Sequence, residues 1–167
     1  MSKEVISKTV ISDSVGGMAL GYARRFQDLG VYKKARLLSR QVFLASKNFP
    51  PDEKFSLTDQ LRRASRSVGA QIAESWAKRR YEKHFVSKLT DADGEQMETQ
   101  HWLTSAFDCG YLTLEETQRL GELCLEIGRM LGDMMQKSDQ FCQPDAHLHE
   151  DSPEYNAIPA ATQLTDY

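Results

Sequence analysis

Four stretches of this chain repeat apolar residues at every third or fourth position, and that spacing leaves few folds open to it. Val31, Ala35, Leu38, Val42, Ala45 and Phe49 step by 4 and 3. So do Leu57, Leu61, Ala64, Val68 and Ile72, ending at Ser75 or Trp76. Phe85, Leu89, Ala92, Gln96, Thr99, Leu103 and Ala106 form a third stripe, polar in its middle. Leu120, Cys124, Ile127, Leu131, Met134, Ser138 and Phe141 form a fourth. At the helical period each set falls on one face, so each face needs a neighbour to bury it. No alternating strand pattern occurs across residues 26–142, and no internal repeat.

Breaks between the stripes mark where the helices stop. Asn48-Phe49-Pro50-Pro51 ends the first, since proline lacks an N–H and forces its predecessor out of the α region. The spacing predicts helices over about 26–47, 55–80 and 81–108, with Gly110 as the stop of the third. Ser56 and Asp59 have capping-box spacing at the start of the second helix. Thr113 and Glu116 have it at the start of the fourth. Gly121, Gly128 and Gly132 each cost about 1 kcal/mol relative to Ala inside a helix, which suggests close approach of a neighbour. Short connections between four such helices give an all-α fold, an antiparallel up-down-up-down four-helix bundle over residues 26–142. Residues 1–25, broken by Gly16-Gly17, read as a flexible N-terminal arm. Residues 143–167, with Pro144, Pro153 and Pro159, read as an acidic disordered tail.

Charge is unevenly distributed. The formal net charge is −3, but Lys54 to Lys88 holds nine bases and three acids. Beyond Cys142 stand Asp145, Glu150, Asp151, Glu154 and Asp166 with no Lys or Arg. A basic middle and an acidic end lie behind one balanced total. The three cysteines are odd in number and form no Cys-x-x-Cys pair, as in a reduced, cytoplasmic protein. No apolar run is long enough to span a membrane, and the N-terminus lacks a signal-peptide core.

Several clusters carry the candidate chemistry. Arg62, Arg63 and Arg66 sit beside the apolar face of the second helix, where like charges oppose each other by about 0.2–0.5 kcal/mol per pair. Something must compensate them, either carboxylates of the protein or phosphates. Asp91, Glu95 and Glu98 form an acidic flank on the third helix, and Glu74 lies on the arginines' own helix. Lys78, Arg79, Arg80, Tyr81 and Lys83, with His84, mix cations and an aromatic ring at a helix junction. Such a cluster can neutralise phosphates and stack a base. Trp102, flanking the acidic stripe, is the first candidate for a subunit interface, with Asp91 and Glu95 beside it. Glu98 and His101 have the Glu-x-x-His spacing of di-iron bundles, which need two such pairs and two further carboxylates. Only one pair is present, so no metal site or cofactor is expected. No Ser/His/Asp or Cys/His arrangement and no glycine-rich phosphate loop is readable.

The run Leu57-Thr-Asp-Gln-Leu-Arg-Arg-Ala64, with Ile72-Ala-Glu74 after it, resembles a known family. Phe26-Gln-Asp-Leu-Gly-Val-Tyr32, Asn48-Phe-Pro50, Gly94, Glu98, Gly110-Tyr111 and Gly128-Arg-Met-Leu131 match it as well. This is the small bacterial four-helix bundle family, the proteins encoded by intervening sequences of large-subunit ribosomal RNA genes. The resemblance spans residues 26–138. Gly69, Gln71 and Ser75 depart from the family's Pro, Asn and Gly, and Asp93 and Glu95 from its Arg and Ser. It implies a bundle assembling into a ring, commonly a homopentamer, with no established enzyme activity. A related bundle, the accessory protein of diversity-generating retroelements, engages a reverse transcriptase and nucleic acid. Because Glu74 and Glu98 match family positions together with Arg62 and Arg63, a structural ion-pair network of Arg62, Arg63, Arg66, Glu74 and Glu98 is the preferred reading.

The leading expectation is therefore a non-enzymatic homo-oligomeric scaffold that binds a protein partner. A nucleic-acid-binding accessory factor, for example of a reverse transcriptase, contacting RNA or DNA, comes second. A metal-dependent bundle enzyme ranks last. The acidic tail should compete for the basic patch, so its deletion should strengthen nucleic-acid binding.

Overall fold

A computed structural model of the chain describes residues 23–142. The expectations for the acidic tail, and for most of the N-terminal arm, lie outside the described residues. Four long helices dominate: α1 (Gly30–Ala45), α2 (Leu57–Ala77), α3 (Glu82–Asp108) and α4 (Leu114–Gln136). A short α5 (Ser138–Phe141) follows. Among the described residues there is no strand, and no helix is long and apolar enough to cross a membrane.

Each long helix packs against two others, and the touching residues run in opposite order along α1–α2, α3–α4 and α1–α4. Gly69 of α2 faces Tyr32 and Ala35 of α1, while Arg62 reaches back to Ser46. Lys88 of α3 meets Gln71 and Glu74 of α2. Thr90 lies against Met135, and Gln96 against Gly128. Lys34 pairs with Glu126, and Gln41 with Arg119, which closes the bundle between α1 and α4.

The predicted stripes form the core. All seven residues of the α3 stripe are buried, including Gln96 and Thr99. Leu38, Leu61, Leu89, Leu120, Ile127 and Leu131 have essentially no exposed surface. Full burial of each such side chain is worth about 1.5–3 kcal/mol. The polar middle of α3 is accommodated by hydrogen bonds: Gln100 Nε2 donates to Gln96 Oε1 at 2.7 Å, and Gln96 Nε2 to Asp93 Oδ1 at 2.9 Å. Gly128 leaves room for this chain, because a Cβ there would sit 3.0 Å from Gln96 Nε2.

Helix ends follow the expected chemistry in part. Gly110 has φ +76°, and Tyr111 N–H donates to Ala106 O at 2.8 Å while Gly110 N–H donates to Phe107 O. These two bonds close α3 in a Schellman turn. Thr113 and Glu116 form the expected reciprocal capping box. Ser56 does not. Its hydroxyl is drawn to Glu53 Oε2 instead, and that carboxylate also accepts from Leu57 N–H at 3.4 Å. The helix boundaries shift inward because 3-10 turns at Phe26–Asp28 and Ser46–Asn48 flank α1.

Thr113→Ala should destabilise the chain by about 1 kcal/mol in a chemical denaturation series. The cap also makes a pH statement. Hydrogen bonds from Thr113 hold the Glu116 carboxyl below its ordinary value. Because the folded pKa is the lower one, this contribution is full above the ordinary value of 4.5. It fades as pH falls through the folded pKa. The stability difference between Thr113→Ala and the parent should therefore shrink in acid.

Candidate functional site

Arg62 is half-buried between α1 and α2, and its partner is a helix end. Its Nε donates to Ser46 Oγ at 2.7 Å and its Nη2 to Ser46 O at 3.1 Å. The guanidinium carbon lies 5.0 Å from the centre of the Phe43 ring. Ser46 is the C-cap of α1, where unpaired carbonyls carry partial negative charge. Arg62 therefore caps α1 from outside.

Among the described residues, no ion pair within 4.0 Å joins Arg62, Arg63 or Arg66 to Glu74 or Glu98, which corrects the expected network. Arg63 lies 3.9 Å from Asp59. Their side chains are 70% and 50% exposed, so the pair is worth about 0–1 kcal/mol. Arg66 is exposed. The carboxylates are taken by other groups. Lys88 Nζ sits 3.0 Å from Glu74 and 3.2 Å from Asp91, and donates to Gln71 Oε1 at 3.2 Å. Hydrogen bonds to Glu74 and then Asp91 raise the Lys88 pKa. Glu98 accepts from Trp102 Nε1 at 2.9 Å. Burial, then the neighbouring Glu98 charge, pushes Glu95 up, while the Arg63 charge opposes them.

Arg62→Ala should cost about 1.5–3 kcal/mol, the range for hydrogen bonds to a charged group. Arg66→Ala should stay within about 0.5 kcal/mol of the parent. Urea midpoints of the two variants check this, and equal losses would contradict the capping role.

The basic cluster is a compact corner where α2 turns into α3. Lys78 is the C-cap of α2. The Arg79 guanidinium covers the Trp76 ring at 4.2 Å, and its Nη1 donates to Trp76 O at 3.5 Å. Arg80 lies 5.7 Å from the Tyr81 ring, and Tyr81 packs against His84 at 5.6 Å. Lys78, Arg80, Lys83 and His84 are exposed, and Tyr81 is 58% exposed. Cations and an accessible aromatic ring do converge here.

Trp102, Asp91 and Glu95 share one flank of α3, turned towards α2. Trp102 is half-buried against the core, with the His101 ring 4.8 Å away. Asp91 is held by Lys88. A different face is less occupied. Gly121, Leu125, Gly128 and Gly132 step by 4, 3 and 4 on the flank of α4 turned to α3. Among the described residues, Gly128 is approached closely, while a Cβ at Gly121 or Gly132 would meet nothing within 4 Å. Met97, four residues after Asp93, flanks the same groove from α3. Met97 is 61% exposed and Leu125 52%.

Between α1 and α4 lies an open groove of about 470 Å³. Its lining has no Ser, Cys or His, so it offers no serine or cysteine nucleophile and no imidazole base. Among the described residues, no group of three His, Cys, Asp or Glu side chains could hold a metal ion. Burial pushes the Cys124 thiol up to about 12, which makes it a poor nucleophile.

Fold and surface together define a small helical bundle whose charged groups serve capping, pairing between helices and one basic corner. Residues 27–133 match the 23S rRNA-intervening sequence protein family, and the chain belongs to that family. A crystal structure from Bacteroides thetaiotaomicron, a protein of unknown function from the S23 ribosomal protein family, is similar to it. The two are 25% identical with a TM-score of 0.57, over 64% of this chain and 95% of that one. No curated protein matches the chain.

Proposed function

We propose that this protein is a non-enzymatic scaffold of the bacterial cytoplasm that assembles with copies of itself, five by the resemblance, and presents the assembled surface to a protein partner. The carrying observation is the α3–α4 face. Gly121 and Gly132 each forgo about 1 kcal/mol of helix propensity with no neighbour among the described residues to require it. Beside them Met97 and Leu125 expose apolar side chains. A second copy packed there would account for both features, since small residues let helices approach and apolar ones gain from burial. The Trp102 flank is the weaker candidate because Lys88 and Glu98 already engage its polar groups. Light scattering on the eluting full chain tests the reading. A single species of several copies supports it, and a monomer at all accessible concentrations rejects it.

A second reading has its own observation, the convergence of Lys78, Arg79, Arg80 and Lys83 around exposed Tyr81. It makes the protein a nucleic-acid-binding accessory factor, for example of a reverse transcriptase. Binding of single-stranded RNA and DNA that falls steeply with salt is the expected behaviour. Salt-independent or absent binding rejects it.

A further inference from the structure

Charge divides the bundle into two halves. From Leu29 to Pro51, which includes all of α1, there are five Lys or Arg and no acid. α3 and α4 together carry eleven acids and four Lys or Arg. Contacts fix the phase of α1. Tyr32 lies against Gly69 of α2, while Lys34 and Gln41 meet Glu126 and Arg119 of α4. At the helical period Ser39 shares the α2 flank with Tyr32, and Lys33, Arg36, Leu37, Arg40 and Leu44 point outward between the two flanks. All five are exposed, Leu37 at 36% and Leu44 at 49%. Phe43 is turned away from this row, with Lys47 and Arg62 over its ring at 5.1 and 5.0 Å.

We propose that the outward row of α1 is what meets the α3–α4 face, so that each copy docks its α1 onto the α3–α4 face of the next. The inference rests on the self-assembly reading and names the surface that covers the glycine-lined face. Charge selects this occupant. By their phase on α3 and α4, the exposed acids Glu98, Asp108, Glu115, Glu122 and Asp133 border the face, against the exposed cations Lys83 and Arg129. Glu122 and Arg129 stand where it adjoins the α1–α4 groove. The other charges of that groove are already engaged, Lys34 with Glu126 and Arg119 with Gln41. A second α3–α4 face laid on the first would set carboxylates against carboxylates, whereas α1 brings cations.

Shape and apolar surface agree with this choice. Leu37 and Leu44 lie beside the cations of α1, as Met97 and Leu125 lie beside the acids of the opposing face. Lys33 to Leu44 and Glu122 to Asp133 each span eleven residues, about 16 Å of helix axis, so the two rows have the same length. Gly121 and Gly132 leave open space for an approaching helix. The two surfaces are different parts of one chain, so the contact is head-to-tail. A copy whose α1 is occupied still offers its α3–α4 face, and repetition builds a ring or a filament rather than a symmetric pair.

The test uses two full-length variants. Arg36→Glu with Leu44→Glu spoils the α1 row, and Leu125→Glu spoils the α3–α4 face. All three positions are exposed, and circular dichroism checks that both variants fold. Arg36→Gln with Leu44→Gln repeats the measurement should the glutamates disturb α1. Each variant alone should dissociate at a concentration about tenfold higher than the parent or more. In sedimentation, an equimolar mixture should form pairs holding one copy of each variant and stop there, because one intact α1 row and one intact α3–α4 face remain. The parent's assembly should loosen as salt rises. An α1 variant that assembles as the parent does, while Leu125→Glu dissociates, would overturn the proposal and leave self-assembly standing. A mixture that forms no pairs, or a parent that tightens with salt, would also overturn it. A parent that stays a single chain at every concentration defeats the self-assembly reading itself, and this inference with it.

Discussion

Phe85→Ala should cost about 3–5 kcal/mol, the range for removing a large aromatic side chain from a packed core. Phe85 has no exposed surface, stands at the first turn of α3 and carries the Phe141 ring on its other side. Its loss therefore opens a cavity and unseats α5 together. A second readout separates these effects. Burial of the Cys142 thiol should be relieved, lowering its pKa towards the ordinary value and speeding its alkylation near neutral pH. Cys109 is exposed in the parent and serves as the internal control. Phe141→Ala, at a half-buried position, should release Cys142 in the same way at a smaller cost in stability. Equal losses for the two variants would show that Phe85 is held by α5 rather than by the bundle.

The contrast between the stripes and the charges explains how much of the molecule could be read from its residues. Burial imposes one period on a whole helix, so each stripe is over-determined. Even the polar stretch of α3 could be placed by the register of Leu89 and Leu103. A single polar contact depends instead on where another helix happens to end. Arg62 caps α1 because Ser46 arrives beside it from sixteen residues earlier in the chain, and nothing within α2 announces that. The reading that sought acids for the arginines passed over Lys88, which claims both Glu74 and Asp91. Lys88 could have been found from its spacing alone, since it stands three residues before Asp91 on one face. Ser56 failed as a capping residue because Glu53, in the turn before it, competes for the hydroxyl. The glycines divide in the same way. Gly128 answers to Gln96 and Asp93, whereas Gly121 and Gly132 answer to nothing among the described residues. The basic corner was legible because its residues are adjacent in sequence. The return of the chain to that corner was not, since it rests on Phe141 meeting Phe85.

Gly121→Ala should raise the stability of the single chain while weakening its association. With open space at the Cβ position, alanine removes unfolded-state freedom and gains about 0.4–1 kcal/mol within the chain. If another helix packs on that face, the same methyl group keeps it at a distance. Leu125→Glu should act on association alone. The side chain is 52% exposed, so its replacement should leave chain stability within about 0.5 kcal/mol. A carboxylate forced into an apolar contact should cost about 2 kcal/mol or more per interface, which is about thirtyfold in dissociation constant. Denaturation at a concentration low enough to hold both variants as single chains isolates the first quantity, and light scattering across a dilution series gives the second. Opposite signs for Gly121→Ala in the two measurements would tie the glycine to a partner helix. A gain in stability with unchanged association would mean the face meets nothing, and the scaffold reading would lose its support there. Ser39→Ala offers the control: it changes an α1 side chain away from the α3–α4 face, whose hydroxyl donates to Arg36 O in its own helix, and it should leave the assembly as it is.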